Sequence, residues 1–263
     1  MSKISESARK HAQMQWDNTP CGEVDGNKDT LEYFEEVEKE RYRQQYWQLK
    51  YFDFGGFRGK NVLEIGVGHG TDIHQFAKGG AICHAIDITD SHINLAKRNF
   101  ELRGYKIEIK KSDATHISYP DNYFDCVYSF GVLHHIPEID QCISEISRVL
   151  KPGGVLYIAL YHKYSLATLL LIIYNGIYKG KLFKLGYKGL LSLIEKGADG
   201  IHIKPYVRLY SKFSTRKVLK NKFEIEDISV HQIHFEKLKF LNKLRFLDNF
   251  FGWYVVTKSI NKK

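Results

Sequence analysis

Cysteine is scarce in this 263-residue sequence. The four cysteines form no C-x-x-C pair, so the sequence predicts neither a disulfide framework nor a zinc site. Cys83 and Cys126 lie inside apolar runs that are typical of buried strands, where cysteine acts as a small apolar residue. We therefore expect a reducing compartment, a cytoplasmic location and no bound metal.

Long apolar runs are also missing. The most apolar stretch, Ser165 to Tyr174, is shorter than the roughly 20 residues that a helix needs to cross a bilayer. The polar first residues lack the pattern of a signal peptide. The length and a hydrophobic content of 43% predict one α/β domain with an elaboration.

Acidic residues are few in the C-terminal part. From Leu160 to Lys263 there are 20 Lys and Arg against 7 Asp and Glu, whereas the whole chain has 39 against 30. Such an excess favours an anionic partner, such as a phosphorylated substrate, an anionic lipid or a nucleic acid. A lysine-rich solvated surface explains the same excess without any partner.

Three glycines alternate after an apolar run at Glu64 to Gly70, in the order E-x-G-x-G-x-G. This pattern is typical of a buried strand that passes through a tight turn into a helix, with a ligand close to the backbone. A dinucleotide site usually has G-x-G-x-x-G and a pyrophosphate. Because Glu64 would repel a pyrophosphate but attract a cationic ligand, the spacing disfavours an NAD-dependent dehydrogenase.

Further landmarks follow at the ends of predicted strands. Asp87 ends the second strand, 23 positions after Glu64, where a carboxylate can accept hydrogen bonds from a ribose diol. Ser112-Asp113-Ala114 follows the third strand, and Asp113 could accept from an exocyclic amine. Phe124 to Ser129 forms a fourth strand that runs into His134 and His135, and an L-K-P-G-G turn from Leu150 to Gly154 precedes a fifth strand.

These motifs, over about residues 60 to 162, resemble a class I S-adenosylmethionine (AdoMet)-dependent methyltransferase. The resemblance implies that the glycine loop holds the methionine part, that Asp87 holds the ribose and that Asp113 meets the adenine amine. It implies AdoMet as cofactor, S-adenosylhomocysteine as product and no metal. The cofactor residues that it implies are Glu64, Gly66, Gly68, His69, Gly70, Asp87, Ile88, Asp113, Ala114 and Phe130.

The implied fold is a Rossmann-like α/β sheet of seven strands, mostly parallel with an antiparallel final strand, and helices on both faces. We expect residues 1–55 to form an N-terminal helical cap and residues 56–263 the methyltransferase domain. Turn-forming residues predict a non-helical stretch from Gln15 to Gly22, and helical spacing predicts a helix from Leu31 to Tyr51. The last strands are predicted at Phe223 to His231 and Phe251 to Lys258.

Three histidines are candidate bases for removing a proton from an acceptor hydroxyl: His134, His135 and His162. All three lie at the predicted carboxyl ends of the fourth and fifth strands. Packing or capping is an equally simple role for any of them.

Residues 163–205 are predicted as a helical insertion after the fifth strand. One interpretation is a lid over the acceptor, with Tyr206, Arg208 and Tyr210 at its mouth and Arg208 facing an anionic acceptor. A homodimer patch, docking on an anionic membrane surface and a plain helical hairpin are alternatives.

The leading hypothesis is methyl transfer to a small molecule, most simply to a hydroxyl of a sugar, a natural product (a tailoring reaction) or a lipid-linked or phosphorylated intermediate. A catalytically silent AdoMet-binding partner subunit is the alternative from another class. An RNA or protein methyltransferase is a further one, although the fourth strand lacks the D/N-P-P-Y/F motif of nucleic-acid amino methylases and no RNA-binding module is present.

Overall fold

A single seven-stranded sheet forms the centre of the protein, whose computed structural model describes residues 3–18, 20, 22–191, 193–194, 206–233 and 239–263. The strand order is β3-β2-β1-β4-β5-β7-β6. The strands are β1 Asn61–Ile65, β2 Ile82–Asp87, β3 Ile107–Lys111, β4 Phe124–Phe130, β5 Leu150–Tyr161, β6 Phe223–His231 and β7 Tyr254–Asn261.

Helices follow most of the strands and surround the sheet. They are α1 Lys3–Asn18, α2 Leu31–Gln44, α3 Gln48–Tyr51, α4 Thr71–Lys78, α5 Asp90–Leu102, α6 Ile139–Val149, α7 Leu166–Leu170, α8 Lys181–Leu191, α9 Lys212–Leu219 and α10 Asp248–Phe251. Short 3₁₀ turns cover Leu133–His135 and Lys239–Leu247, and α7 continues as wider π-helical turns over Leu171–Tyr178.

The pairing confirms the predicted sheet. The first five strands are parallel to one another, whereas β7 runs antiparallel to both β5 and β6. Alternate residues of β1 enter two cores, with Val62 on one face and Leu63 on the other. Because both faces are covered, the central strands are apolar throughout, as parallel strands commonly are.

Several strand limits differ from the sequence-based prediction. The L-K-P-G-G segment was predicted as a turn, yet β5 already begins at Leu150, which pairs with Phe124 before the register shifts. Gly153, with φ of 71°, allows this bend within the strand. The final strand begins at Tyr254 and not at Phe251, because Phe251 ends α10.

The N-terminal segment is more helical than predicted. Helix α1 extends through Gln15 to Asn18, because the start of α5 satisfies its polar end: Asp17 accepts a hydrogen bond from the Ser91 backbone N–H. The helix predicted from Leu31 to Tyr51 breaks between α2 and α3. Trp47 at this break packs into the core and stacks on His231 at 4.4 Å, which ties the segment to β6.

The predicted insertion forms the hairpin of α7, the π-helical turns and α8. Leu190 is buried, and a Cβ on Gly176 would lie 3.0 Å from it, so the two arms pack closely through this glycine. Residues 195–205 of the predicted insertion lie outside the described residues.

Candidate functional site

A cavity of about 900 Å³ lies at the carboxyl ends of β1, β2, β4 and β5. Open α/β sheets bind ligands at this edge. The cavity floor comes from the glycine loop and the strand ends, and its cover comes from α1, α2, the start of α7 and the segment before β7.

The glycine loop leaves β1 through three residues with positive φ: Gly66 at 81°, Gly68 at 53° and Gly70 at 74°. Gly66 and Gly68 line the cavity, and a Cβ on Gly68 would meet no atom within 4 Å. The loop therefore offers bare backbone to a ligand at Gly68. Gly70 lies outside the cavity lining; its Cβ would approach Ala96 of α5 at 3.2 Å, so this glycine lets the start of α4 pack closely against α5.

Glu64 places a buried carboxyl group at the cavity floor. Its Oε2 accepts a hydrogen bond of 3.1 Å from the backbone N–H of Ile73. Burial, followed by the negative charge of Asp72, raises the pKa of Glu64 well above its usual value. A cationic ligand group beside this carboxyl would favour its charged form, which agrees with the ammonium that the resemblance implies.

Asp87 ends β2 at the cavity wall. Its Oδ1 accepts hydrogen bonds from the backbone N–H and the hydroxyl of Thr89, and its Oδ2 lies 3.4 Å from Nδ1 of His92. Burial alone would raise the pKa of Asp87, but His92 and Thr89 lower it below its usual value. Asp87 is therefore a fixed, charged acceptor, as binding of a ribose diol requires.

Asp113 and Ala114 line the cavity after β3. Oδ1 of Asp113 accepts from the backbone N–H and the hydroxyl of Thr115, and its Oδ2 pairs with Arg9 of α1 at 2.5 Å. An amine that bound Asp113 would share the carboxylate with Arg9.

The remaining predicted cofactor residues also reach this cavity. His69 and Ile88 line it, and Nε2 of His69 lies 3.1 Å from the Tyr33 hydroxyl. Phe130 lines it as well, with the Arg41 guanidinium 4.4 Å from its ring centre. Together with the open backbone at Gly68, the three carboxyl groups fit an adenosyl ligand that carries an ammonium. Their role in binding stays a prediction.

Arg41 belongs to a polar cluster that sequence reasoning missed. Its guanidinium forms an ion pair with Asp72, whose oxygens also accept hydrogen bonds from the hydroxyls of Tyr42 (3.0 Å) and Tyr128 (2.9 Å). Burial raises the pKa of Tyr128, and the charge of Asp72 raises it further. No sequence signal distinguishes Arg41 from the other charged residues of α2.

The histidine predictions have different outcomes. Of the three candidate bases, only His135 lines the cavity. Its Nδ1 lies 2.8 Å from the carbonyl oxygen of Tyr206. Because a carbonyl only accepts, Nδ1 carries the proton, and Nε2 is the basic atom of the neutral ring.

His134 and His162 lie behind the cavity wall. His134 is fully buried and stacks on Tyr161 at 3.7 Å, and neither of its ring nitrogens has a hydrogen-bond partner among the described residues. Burial lowers its pKa well below the usual value. Nδ1 of His162 donates to the carbonyl oxygen of Gly252 at 3.1 Å. The structure thus corrects the predicted placement of both, and the role of base stays a prediction for His135 alone.

The predicted acceptor residues are also placed elsewhere. None of Tyr206, Arg208 and Tyr210 lines the cavity. Their segment runs beside the end of β5, where the Tyr210 backbone N–H donates to Tyr161. Tyr210 is buried in the core, and the exposed Arg208 has its guanidinium 5.3 Å from the Tyr210 ring centre. This stretch packs behind the histidines, and the carbonyl oxygen of Tyr206 accepts a hydrogen bond from His135.

Aromatic and aliphatic side chains line the same cavity as His135 instead. The ring of Trp16 lies 5.7 Å from that of His135. Trp253 and Tyr254, just before and at the start of β7, could have been suspected from the sequence. Leu166 on α7 and Ile233 after β6 could not. The other residues of this wall are Tyr161, Leu166, Ile194, Ile233, Trp253 and Tyr254.

The sequence of this chain is similar to those of known methyltransferases. A family model described as a methyltransferase domain matches residues 63–158. Phosphoethanolamine N-methyltransferase 2 of Caenorhabditis elegans is 35% identical over 42% of this chain and 26% of that protein, so the match spans about a quarter of that relative. Ubiquinone biosynthesis O-methyltransferase of Coxiella burnetii is 27% identical over 67% of this chain and 76% of that protein.

A solved structure shows the same fold. The SAM dependent methyltransferase from Aquifex aeolicus matches with a TM-score of 0.53 at 17% identity, covering 88% of this chain and 98% of that one. Among the described residues, no helix has the length and apolar character needed to cross a membrane. The same residues contain no group of three or more His, Cys, Asp or Glu side chains arranged to hold a metal ion.

Proposed function

We propose that this chain, which belongs to the class I AdoMet-dependent methyltransferases, transfers a methyl group to a hydroxyl of an apolar, ring-bearing or lipid-like small molecule. The proposal depends chiefly on one observation. His135, oriented by Tyr206, lies in an aromatic wall of the same cavity that holds Glu64, Asp87 and Asp113.

The cofactor end of the cavity supplies three anchors. We assign Glu64 to the ammonium, Asp87 to the ribose hydroxyls and Asp113 with Ala114 to the adenine, while Gly66 and Gly68 bring the backbone close. When bound, AdoMet supplies a methyl group already activated on a sulfonium. The protein has only to position the acceptor and exclude water.

The acceptor end favours an apolar molecule. Aromatic and aliphatic side chains predominate in the wall described above, and Ser165 and Gln232 of the same segments add polar groups to the cavity lining. Both arginines of the cavity lining face carboxylates, Arg9 facing Asp113 and Arg41 facing Asp72. A phosphorylated sugar therefore fits less well than an apolar hydroxyl compound, and the Coxiella burnetii relative, which matches over 67% of this chain and 76% of its own length, is named for ubiquinone biosynthesis.

His135 has the geometry of a general base. With Nδ1 held by the Tyr206 carbonyl, Nε2 can accept the proton of the acceptor hydroxyl as the methyl group is transferred. We assign the N-terminal segment, residues 1–55, as the cap that excludes water from the cofactor. Of the predicted insertion, the described residues 163–191 and 193–194 are assigned as the acceptor lid, since Leu166 and Ile194 line the cavity. The cytoplasmic location stays a prediction.

A panel assay tests this function. S-adenosylhomocysteine release is measured with apolar phenols, fatty acids, amines and sugar phosphates as acceptors. We expect turnover with an apolar hydroxyl compound. His135→Ala and His135→Asn should each lower kcat by about 10²–10⁴-fold, because neither side chain can take the proton.

The asparagine variant separates a catalytic role of His135 from a purely structural one. Its amide can still donate to the Tyr206 carbonyl, so a purely structural role of His135 predicts that Asn restores the activity that Ala loses. Preference for amines or sugar phosphates would contradict the proposed acceptor class. AdoMet binding without turnover of any acceptor would support the silent partner subunit.

A further inference from the structure

The insertion carries an outward surface of large apolar side chains, called here the hairpin surface and defined as residues 169–187. Tyr178 is 81% exposed and Phe183 is 84% exposed. Such a concentration of exposed apolar groups usually marks an interaction site. The other exposed members are Leu169, Ile173, Tyr174, Ile177, Leu185 and Tyr187.

These exposed groups are not the ones that close the hairpin. The two arms meet through Gly176, which is packed against Leu190 and Leu182. Leu190 and Leu191 are buried, whereas Tyr178 and Phe183 point away from the protein. The outward side chains can therefore serve an external partner.

The charge around this surface has one sign. The sequence has no Asp or Glu from Ile146 to Ile194 but contains seven Lys and Arg there. Lys179 lies among the exposed rings, with its Nζ 4.5 Å from the centre of Tyr174. Lys181 and Lys184 follow in the second arm. The hairpin surface is thus apolar and cationic together.

A second apolar and basic stretch lies beside the same cavity. The turns before α10 and α10 itself expose Phe246 and Phe250 near Arg245, and the next residue, Phe251, lines the cavity. The base of the hairpin lines it too, through Leu166 and Ile194. Both stretches therefore lie beside the cavity in which we expect the acceptor to bind.

We propose that the hairpin surface docks on an anionic lipid bilayer, with Tyr178 and Phe183 inserted at the interface and Lys179, Lys181 and Lys184 on the lipid headgroups. Apolar rings beside lysines suit this interface, where each lysine gains from the negative surface potential. A second copy is a poorer occupant, since a two-fold contact would place like charges against each other. The inference does not depend on the proposed acceptor.

Vesicle sedimentation with the full chain tests the proposal. The probes are vesicles of pure phosphatidylcholine and vesicles with about 30 mol% phosphatidylglycerol. We expect binding to the anionic vesicles that is at least about tenfold stronger than to the neutral ones. It should weaken markedly when the ionic strength rises from about 0.1 to 0.5 M.

Matched variants locate the contact. Lys179→Glu/Lys181→Glu/Lys184→Glu should lower partitioning at least about tenfold. Lys60→Glu/Lys106→Glu/Lys222→Glu makes the same charge change just before β1, β3 and β6, at the opposite edge of the sheet, and should retain most of the binding. Tyr178→Ser/Phe183→Ser should also lose binding, unlike Phe213→Ser, which removes an exposed ring of α9.

Three results would overturn the proposal: equal binding to neutral and anionic vesicles, equal loss in both charge variants, or a dimer in solution that Tyr178→Ser/Phe183→Ser dissociates. The last result would identify the hairpin surface as a subunit interface. None of the six substituted lysines lines the cavity, so S-adenosylhomocysteine binding serves as the check that each variant is folded.

Discussion

Arg9 of α1 forms an ion pair with Asp113 of the loop after β3, with 2.5 Å between Nε and Oδ2. The same guanidinium donates to the Thr115 hydroxyl at 3.2 Å and lies 3.6 Å from Glu138. Helix α1 is thereby tied across the end of the cavity where we expect the adenine, so we predict that Arg9 and the adenine amine share the Asp113 carboxylate.

Removing this tie should speed cofactor exchange. Because the ion pair is partly exposed, we expect Arg9→Ala to raise the dissociation rate of S-adenosylhomocysteine by about two- to fivefold, measured by stopped-flow fluorescence. Lys10→Ala, an exposed change on the same helix, is the control. Identical rates for all three proteins would show that α1 does not restrain the ligand.

Alanine substitutions at Gly68 and Gly70 of the glycine loop should have different effects. Both require positive φ, so alanine costs about 1–2 kcal/mol of conformational strain at either. At Gly70 the new Cβ also crowds Ala96, so Gly70→Ala should mainly lower the free energy of unfolding. At Gly68 it meets no protein atom but faces the cavity, so Gly68→Ala should lower affinity for S-adenosylhomocysteine about tenfold. Urea unfolding and calorimetry of both variants make the comparison; the reverse assignment would contradict it.

Buried His134 should make stability depend on pH. Its pKa is lowered in the folded protein, so below about pH 6.5 the unfolded chain binds more protons, and the free energy of unfolding falls as pH decreases. The raised pKa of Glu64 acts in the opposite direction. We therefore compare the wild type with His134→Leu.

Between pH 7.0 and 5.5 the wild type should lose about 1 kcal/mol more than His134→Leu in urea unfolding. The carboxylates with lowered pKa values, such as Glu38 with a pKa of about 2, stay charged over this range. Equal losses in the two proteins would show that His134 accepts a proton in the folded state.

The sheet could be predicted because its information is local. An apolar run predicts a strand, and Gly66, Asp87 or Asp113 after the run marks where that strand ends. Parallel strands bring those ends to one edge of the sheet. The predicted strand from Phe223 to His231 has the limits that the structure shows. Local sequence signals fail where contacts with distant residues determine the structure. Helix α1, for example, continues because the Ser91 backbone N–H donates to Asp17 in its last turn.

The acceptor end could not be predicted for the same reason. Arg41, Ile233 and Trp253 come from three separate segments, and only the folded chain brings them to one cavity. The placement of Arg208 and Tyr210 depends on a segment that pairs with the end of β5, a long-range contact without a sequence signal. Of the histidines, the sequence identified the right neighbourhood but not which ring faces the cavity.

Calorimetric titration of Asp87→Ala with S-adenosylhomocysteine tests the central claim most directly. Asp90→Ala, which removes an exposed carboxylate three residues away, is the matched control. We predict that the wild type and Asp90→Ala bind alike and that Asp87→Ala loses about 1.5–3 kcal/mol of binding free energy, because the ribose loses a charged acceptor. Equal affinity of all three proteins, or binding of NAD in place of the adenosyl sulfonium compound, would contradict the account.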